Sequence, residues 1–294
     1  MAVSPLRYAQ LKNVIIKQLQ INNLSMKEKI LISFLLLSVL STYGQTNNTR
    51  IIKETPTNGH SIAKINGFYC VDDETKPFTG KYIELGFENE LKAESNYKAG
   101  KLNGVFLKYG KSDSVYVKSK AFYVNDVMTG KYYEYWFPNH KKKECSYNQK
   151  GELHGTWITY LSPKNEEPEI KGKYFNGVKD STWTWYFQEK KPRTLQNFKL
   201  GKREGYSVEY YENGNKKFEC MYSNDKKTGI EKDWYENGSL KHSAEYLNGK
   251  LNGKEIFYFE DGKIKSEGNF LNDNKKGKFI WYKNDGTIKE ETEF

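Results

Sequence analysis

Histidine and carboxylate residues are the first side chains in this 294-residue chain that could carry chemistry. Linear metal-binding motifs place a histidine at a short characteristic spacing from another ligand, and none of the four histidines has such a spacing, so we expect surface histidines and no metal site. Carboxylates recur in turns such as Glu212-Asn213-Gly214, where turn formation and solubility explain them better than catalysis does. The four histidines are His60, His140, His154 and His242.

Three cysteines, Cys70, Cys145 and Cys220, lie at successive intervals of 75 residues. Three of the repeats described below cover each interval, which places the cysteines about 29 Å apart, whereas a disulfide needs Cα atoms within about 7 Å. We expect buried free thiols at equivalent strand positions, with intermolecular pairing as the alternative for an odd number. No nucleophile elbow, phosphate loop or paired-cysteine motif occurs, so we expect no enzyme activity and no cofactor.

The composition favours a folded protein with a solvated basic surface. Hydrophobic residues make up 37% of the chain, aromatic residues reach 15%, and the net charge is +10. The aromatic content argues against disorder. Only four of the 47 basic residues are arginine, whereas proteins that read nucleic acids favour the arginine guanidinium group. We therefore expect no nucleic-acid partner.

The amino-terminal segment resembles a secretory signal. An apolar run over residues 30–40 follows Lys27 and Lys29 and precedes small residues, and it is too short to span a bilayer comfortably. Met26 would begin this signal, so we interpret residues 1–25 as an upstream extension or a misassigned start, 26–44 as the signal peptide and 45–66 as a short linker. A buried helix or an uncleaved anchor is the alternative. Removal of residues 1–44 lowers the net charge to +6.

The sequence therefore predicts export to the periplasm, the outer surface or the medium, with no transmembrane helix in the mature chain.

A repeat of about 24 residues fills the rest of the chain and predicts its elements. Each unit begins at an anchor residue, and an aromatic stands five positions later in eight of the nine units. The anchors are Gly80, Gly104, Gly130, Gly155, Ser181, Gly205, Gly229, Gly253 and Gly277, and the regular aromatics include Tyr210, Trp234, Tyr258 and Tyr282.

Each unit reads as strand, tight turn, strand and return turn. Asn213-Gly214 and its equivalents predict two-residue type I′ turns inside the hairpins. Alternation predicts that positions three and five after the anchor face a buried side and that positions two and four face outward. The sequence thus predicts an all-β fold, an elongated single-layer antiparallel meander of tandem hairpins over residues 67–294.

The motif Gly-x-x-x-x-Tyr-Tyr-Glu-Asn-Gly-x-x-Lys, followed by segments such as Tyr246-Leu-Asn-Gly249-Lys250-Leu-Asn-Gly253, resembles the bacterial variant of the MORN repeat. The resemblance covers about residues 67–294 and implies a twisted β-sheet with mostly interaction roles. It departs from the motif at Ser181 and in the middle turns, which lack Asn-Gly. Some bacterial members of the family carry an antitoxin-like label, and some MORN proteins bind lipid.

Aromatic residues at the outward positions are the candidate binding residues. An exposed aromatic strip on a rigid sheet suits a peptide, a glycan or a partner strand, whereas the simpler interpretation is cross-strand pairing that stiffens the sheet. The candidates are Tyr132, Trp157, Trp183, Trp185, Phe257, Phe279 and Trp281.

The uninterrupted repeats favour an exported, non-catalytic scaffold that binds another protein at the cell envelope. A carbohydrate- or wall-binding module that uses the outward aromatics is the first alternative. An antitoxin-like or lipid-binding role at a membrane surface is the second.

Overall fold

The computed structural model describes residues 49–53, 62–65, 68–71, 76–86, 90–164 and 166–294, all within the compact unit Thr49–Phe294. The predicted upstream extension and the predicted signal peptide lie outside the described residues. The segment predicted as a linker contains two short strands, while its other residues are not described.

The described residues are strands joined by tight turns, with a single-turn 3-10 helix at Gln188–Lys190 and no α-helix among them. The strands are β1 (Thr49–Lys53), β2 (Ile62–Ile65), β3 (Phe68–Val71), β4 (Gly80–Leu85), β5 (Leu91–Lys98), β6 (Lys101–Leu102), β7 (Gly104–Lys111), β8 (Val115–Val124), β9 (Val127–Phe137), β10 (His140–Tyr147), β11 (Gly155–Tyr160), β12 (Pro168–Phe175), β13 (Val178–Tyr186), β14 (Pro192–Lys199), β15 (Lys202–Tyr210), β16 (Lys216–Ser223), β17 (Lys226–Trp234), β18 (Leu240–Leu247), β19 (Lys250–Tyr258), β20 (Ile264–Leu271), β21 (Asn274–Tyr282) and β22 (Ile288–Glu293).

The sheet is an antiparallel meander. Strands β4 to β22 pair in chain order, with the two-residue β6 lying beside β5 before β7 continues the sheet. Strand β1 pairs in parallel with β4, and β2 forms a separate hairpin with β3. The predicted single-layer meander of tandem hairpins is therefore confirmed.

A bulge marks the start of each repeated hairpin after the first, which begins at Gly80. Between β16 and β17, the three residues 229–231 oppose Cys220 alone. The anchor residue lies in the left-handed half of backbone space in all nine hairpins, with φ between +59° and +150°. Glycine adopts such a φ without the steric penalty that other residues incur, which explains the periodic glycines. Ser181 keeps this conformation at φ +59°.

The turns inside the hairpins differ from the prediction. At Gly214 φ is +89°, and its amide donates to the Tyr211 carbonyl over 3.0 Å, whereas Asn213 keeps a negative φ. This is a type I turn closed by a left-handed glycine. The predicted type I′ turn is wrong because the Asn213 side chain accepts the Asn215 amide proton instead, which stabilises the type I form. Gly238, Gly262 and Gly286 close equivalent turns.

The type I′ geometry occurs instead between consecutive hairpins. Asn248 and Gly249 have φ values of +53° and +88°, and Asn272 and Asp273 have +50° and +70°. Two consecutive positive φ values are the requirement of a type I′ turn. The two turn types therefore occupy opposite edges of the sheet.

Tyrosine hydroxyls connect neighbouring hairpins. Tyr211 donates to the Trp234 carbonyl over 2.8 Å, and Tyr235 donates to the Tyr258 carbonyl over 2.9 Å. Seven of the eight regular aromatics five positions after the anchors are half-buried, and the eighth, Tyr160, is 8% exposed. The Tyr282 hydroxyl donates to Glu267 over 2.9 Å. A one-layer sheet has no second layer to pack against, so these contacts between hairpins stabilise it instead.

Candidate functional site

One face of the sheet carries a row of directly paired residues, which we call the central row. In each hairpin, the residue two positions after the anchor pairs with a residue on the returning strand. The nine pairs are Tyr82 with Ser95, Phe106 with Ala121, Tyr132 with Cys145, Trp157 with Gly172, Trp183 with Gln196, Ser207 with Cys220, Glu231 with Ala244, Glu255 with Gly268, and Phe279 with Thr292.

The central row contains the most completely buried side chains of the repeats. Cys220, Ala244 and Trp183 are 0%, 1% and 2% exposed, whereas the residues three positions after the anchors are only half-buried. The prediction of which face is buried is therefore wrong. In a single layer, burial comes from neighbours on the same face, and large residues beside small ones pack most tightly.

Trp183 and Phe279 were predicted to face outward but are 2% and 6% exposed. Each ring lies over a glycine of the preceding strand, so that a methyl group on Gly172 would overlap Trp183 and one on Gly268 would overlap Phe279. The Trp183 indole also donates to the Lys173 carbonyl over 3.0 Å. Both aromatics are therefore packing residues and offer little surface to a ligand.

The other predicted aromatics keep partial access to solvent. Tyr132, Trp157, Trp185 and Trp281 are half-buried, and Phe257 is 39% exposed. The Lys143 ammonium lies 5.1 Å from the Tyr132 ring and 4.9 Å from the Trp157 ring, so it covers both. The structure brings these residues to one face, but the lysine and the row packing interrupt the predicted strip.

The central row changes character at Ser207. Ser207, two positions after its anchor, is smaller than Gln196, its partner on the preceding strand β14. In most other hairpins the residue at this position is a large aromatic. An open cavity of about 500 Å³ lies on this face and is lined by Ser207, Trp185 and Phe218 among others. We call this cavity the Ser207 groove.

Cations surround the Ser207 groove. Its lining includes both arginines of the repeats, Arg193 and Arg203, in a chain whose other bases are almost all lysine. Arg203 lies 4.2 Å from the Tyr222 ring centre and pairs with Asp225. Lys179 lies 4.3 Å from the Trp183 ring, and burial lowers its pKa. The groove therefore presents aromatic and cationic groups to one ligand.

Three segments, residues 203–224, 227–248 and 251–272, match the family model described as the MORN repeat variant. These segments are MORN repeats. No curated protein sequence matches the chain. The matched MORN repeats span hairpins β15–β16, β17–β18 and β19–β20, and they contain one side of the Ser207 groove.

The opposite face of the sheet exposes apolar side chains. These residues lie near the type I′ turns, where Tyr206 pairs with Met221 and Ile230 lies on the next hairpin. Sequence analysis missed them because their face was predicted to be buried. We call them the apolar stripe: Phe122, Val124, Phe175, Val178, Tyr206, Met221, Ile230, Leu247 and Leu271, which are 38% to 54% exposed.

The second matched MORN repeat contains a cluster of titratable groups. His242 Nδ1 lies 3.1 Å from Asp233 Oδ2, and His242 Nε2 lies 3.1 Å from Glu255 Oε1. Glu231 lies within the same cluster, is 5% exposed and contacts Lys227 as an ion pair. Burial opposes protonation of His242, but the bonds to both carboxylates outweigh it and raise its pKa to about 9.

The histidine spacing along the sequence did not reveal this cluster, but the hairpin pairing does. Asp233 and His242 are directly opposed residues of β17 and β18. The signal available in the sequence was therefore the cross-strand register rather than a linear motif.

The described cysteines are buried free thiols. Cys145 and Cys220 occupy equivalent positions in the central row, as predicted, whereas Cys70 lies in the separate β2–β3 hairpin. Burial raises the pKa of the Cys145 thiol, and burial together with the Glu231 charge raises that of Cys220 to about 11. None of the described segments is an apolar helix of membrane-spanning length.

Proposed function

We propose that this protein is a non-catalytic interaction scaffold at the cell envelope, and that its repeats bind another protein through the apolar stripe. The single observation that carries the proposal is the recurrence of exposed apolar side chains across successive hairpins. Tyr206, Ile230 and Leu247 are 54%, 53% and 53% exposed. Contiguous apolar surface of this kind is a feature of interaction sites.

The spacing of the apolar stripe suits a distributed interface. Adjacent hairpins are about 10 Å apart across a sheet, so a partner lying along the stripe would contact several of them. Each contact would bury part of one apolar side chain, and water exclusion over the whole length would supply the affinity.

The chemistry of the described residues supports a non-catalytic role. A general base is effective when its pKa lies near the working pH, and the pKa of His242 is raised to about 9. A nucleophilic cysteine needs a depressed pKa, whereas burial and nearby charge raise that of Cys220. The predicted signal peptide supports the envelope location.

The experiment is affinity capture of a partner from envelope extract of the native cell, followed by its direct binding to purified variants. Met221→Lys with Leu247→Lys places two charges in the stripe, and we expect at least a tenfold loss of affinity. Phe257→Lys, on the face of the central row, is the matched control and should bind normally. Thermal unfolding of each variant verifies the fold.

Two results would contradict this assignment. The partner could bind the stripe variant as tightly as the parent chain, or progressive removal of C-terminal hairpins could abolish binding at one particular hairpin. The first result would place the interface elsewhere, and the second would indicate a single local site rather than a distributed one.

The Ser207 groove favours a second candidate function, the binding of a cell-wall glycan. Its lining combines Trp185 and Phe218 with polar groups such as Thr194 and Glu209, and sugars bind to aromatic faces with hydrogen bonds at the rim. Sedimentation of the purified chain with cell-wall material tests this function, with Trp185→Ala expected to release it.

Flotation with anionic liposomes separates lipid binding from both proposals. If the chain floats with anionic liposomes, and this binding is lost in 0.3 M salt and also when anionic lipid is left out, the basic surface binds membranes electrostatically. That result would favour lipid binding over both proposals.

A further inference from the structure

We propose that Glu231, Asp233 and His242 form a binding site for a first-row divalent transition metal, with Zn²⁺ as the representative ion. The site goes beyond the proposed scaffold function and does not depend on it. The three residues offer one imidazole nitrogen and two carboxylate oxygens, a donor set that zinc accepts in proteins.

The sheet holds the donors on one face. Glu231 and Asp233 are two positions apart on β17, so both side chains point to the same side, and His242 is the direct partner of Asp233 on β18. Neighbouring strands restrict the backbone movement of all three. Sites built on strands are more precisely positioned than sites built on loops.

The distances require only a small contraction. The three donor atoms lie within 4.8 Å of one another. Tetrahedral zinc with bonds of about 2.1 Å places its ligand atoms about 3.4 Å apart. The 3.1 Å separation of His242 Nδ1 and Asp233 Oδ2 lies slightly below that edge, so only a small rotation of either side chain would open it to the required length. Rotation of the Glu231 side chain would close the remaining distance, and water would complete the coordination.

The surroundings of His242 also match those of a metal ligand. Its other nitrogen, Nε2, lies 3.1 Å from Glu255 Oε1. A ligating histidine commonly donates its second N–H to a carboxylate, which fixes the ring orientation and makes the ligand more basic. Phe257 stacks on the imidazole with ring centroids 4.4 Å apart and restrains the ring further. Glu255 is therefore a positioning residue of the proposed site.

The Lys227 ammonium and the His242 imidazole lie beside the carboxylates whose charge a bound metal ion would neutralise. The Lys227 ammonium contacts Glu231, and the Asp233 and Glu255 carboxylates each lie 3.1 Å from a ring nitrogen of His242. Metal binding would displace the proton from Nδ1 to solvent and move the Lys227 ammonium off the Glu231 carboxylate. Asp233 also lines the Ser207 groove, which gives the ion a path from solvent.

The neighbouring hairpins show that this donor set does not follow from the repeat itself. At the three equivalent positions, the preceding hairpin has Ser207, Glu209 and Phe218, and the following one has Glu255, Phe257 and Ser266. The repeat needs none of these donors for its fold. Their coincidence in one hairpin indicates a local role.

The experiment is calorimetric titration of Zn²⁺ into the full chain after chelator treatment, with Co²⁺ absorption as the second readout. We expect one Zn²⁺ per chain and visible Co²⁺ d–d bands. His242→Gln and Asp233→Asn should each weaken binding at least tenfold, and Glu255→Gln should weaken it several-fold.

His154→Gln is the matched control and should bind as the parent chain does. Cys220→Ser should also retain the site, since the thiol is not among the proposed donors. Circular dichroism verifies that each variant is folded. The proposal is overturned by a folded parent chain without stoichiometric Zn²⁺ binding, by a folded His242→Gln variant of parental affinity, or by loss of the site in Cys220→Ser.

Discussion

Two stretches of the central row have the same backbone and opposite chemistry. In the aromatic stretch, Trp157 and Trp183 pack beside Gly172, and Phe279 repeats this arrangement over Gly268. In the polar stretch, Ser207, Glu231 and Glu255 occupy the same positions. The His242 cluster lies in the polar stretch, and the Ser207 groove lies where the aromatic stretch at Trp183 meets the polar stretch.

The two stretches together show which features the hairpin needs and which positions are free to carry binding groups. An anchor residue with positive φ and a bulge beside it are common to both stretches, so the row residue itself is not required to form a hairpin. Aromatic residues at that position stabilise the sheet by packing, whereas polar residues leave open surface and charged groups that a ligand can contact. The following predictions test this separation, beginning with the largest expected effect.

Removal of a row aromatic should destabilise the sheet far more than removal of a row polar residue. Trp183→Ala deletes a side chain that is 2% exposed, and we expect a loss of about 3–4 kcal/mol in the free energy of unfolding. Ser207→Ala should cost less than about 1 kcal/mol. Urea denaturation followed by circular dichroism measures both. Equal losses would remove the distinction between the two stretches.

One added heavy atom on a returning strand of the central row should destabilise the sheet only where an aromatic ring of the next hairpin lies over that position. Gly268→Ala forces a carbon into the Phe279 ring, so we expect a loss of about 2 kcal/mol. Ala244→Ser, at the equivalent position in the polar stretch, should change the free energy of unfolding by less than about 1 kcal/mol. A neutral Gly268→Ala variant would show that the ring does not need the glycine.

Substitution of a turn glycine should lower the stability of the sheet through backbone strain alone, without any side-chain clash. Gly262 closes a hairpin turn at φ +83°, where no atom lies within 4 Å of an added Cβ. Gly262→Val should therefore cost about 1–2 kcal/mol through conformational strain. Gly262→Asn, which tolerates this φ better, is the control and should lose less. An unchanged thermal midpoint for the valine variant would contradict the turn geometry.

The polar stretch should make stability depend on pH. The folded pKa of His242 is about 9, above its ordinary 6.5, so its contribution is complete below pH 6.5 and is lost as pH rises through 9. We expect a loss of about 1 kcal/mol, because Asp233 is 36% exposed and solvent weakens the pair. His242→Gln should remove this pH dependence, which denaturation at pH 6 and pH 9.5 would reveal.

The repeat made the hairpins and their order predictable from the sequence. An anchor every 24 to 26 residues, which is glycine in eight of the nine units, and an aromatic five positions later in eight of them were sufficient to define the nine units. The turn type was not predictable from the Asn-Gly pair alone, because Asn213 stabilises a type I turn through its side chain, and the type I′ turns occur where Asn248 precedes Gly249.

The faces and the candidate site were less predictable. Alternation assigns residues to two faces but does not say which one is buried when no second layer exists, so Trp183 was assigned to the wrong environment. The cluster around His242 depends on pairing across strands, which a linear search for ligand spacing does not examine. Hairpin register, once known, places Asp233 opposite His242 directly.

The bulges at Gly229 and Gly253 make the 24-residue unit between them a natural module for insertion and deletion. Excision of residues 229–252 would join Thr228 to Gly253 and bring the Ser207 hairpin beside the Glu255 hairpin, with matching anchors on both sides. Such a shortened chain would retain its frame while losing Glu231, Asp233 and His242 together. Gain or loss of whole units could thus change the binding repertoire in a single genetic event without redesign of the sheet.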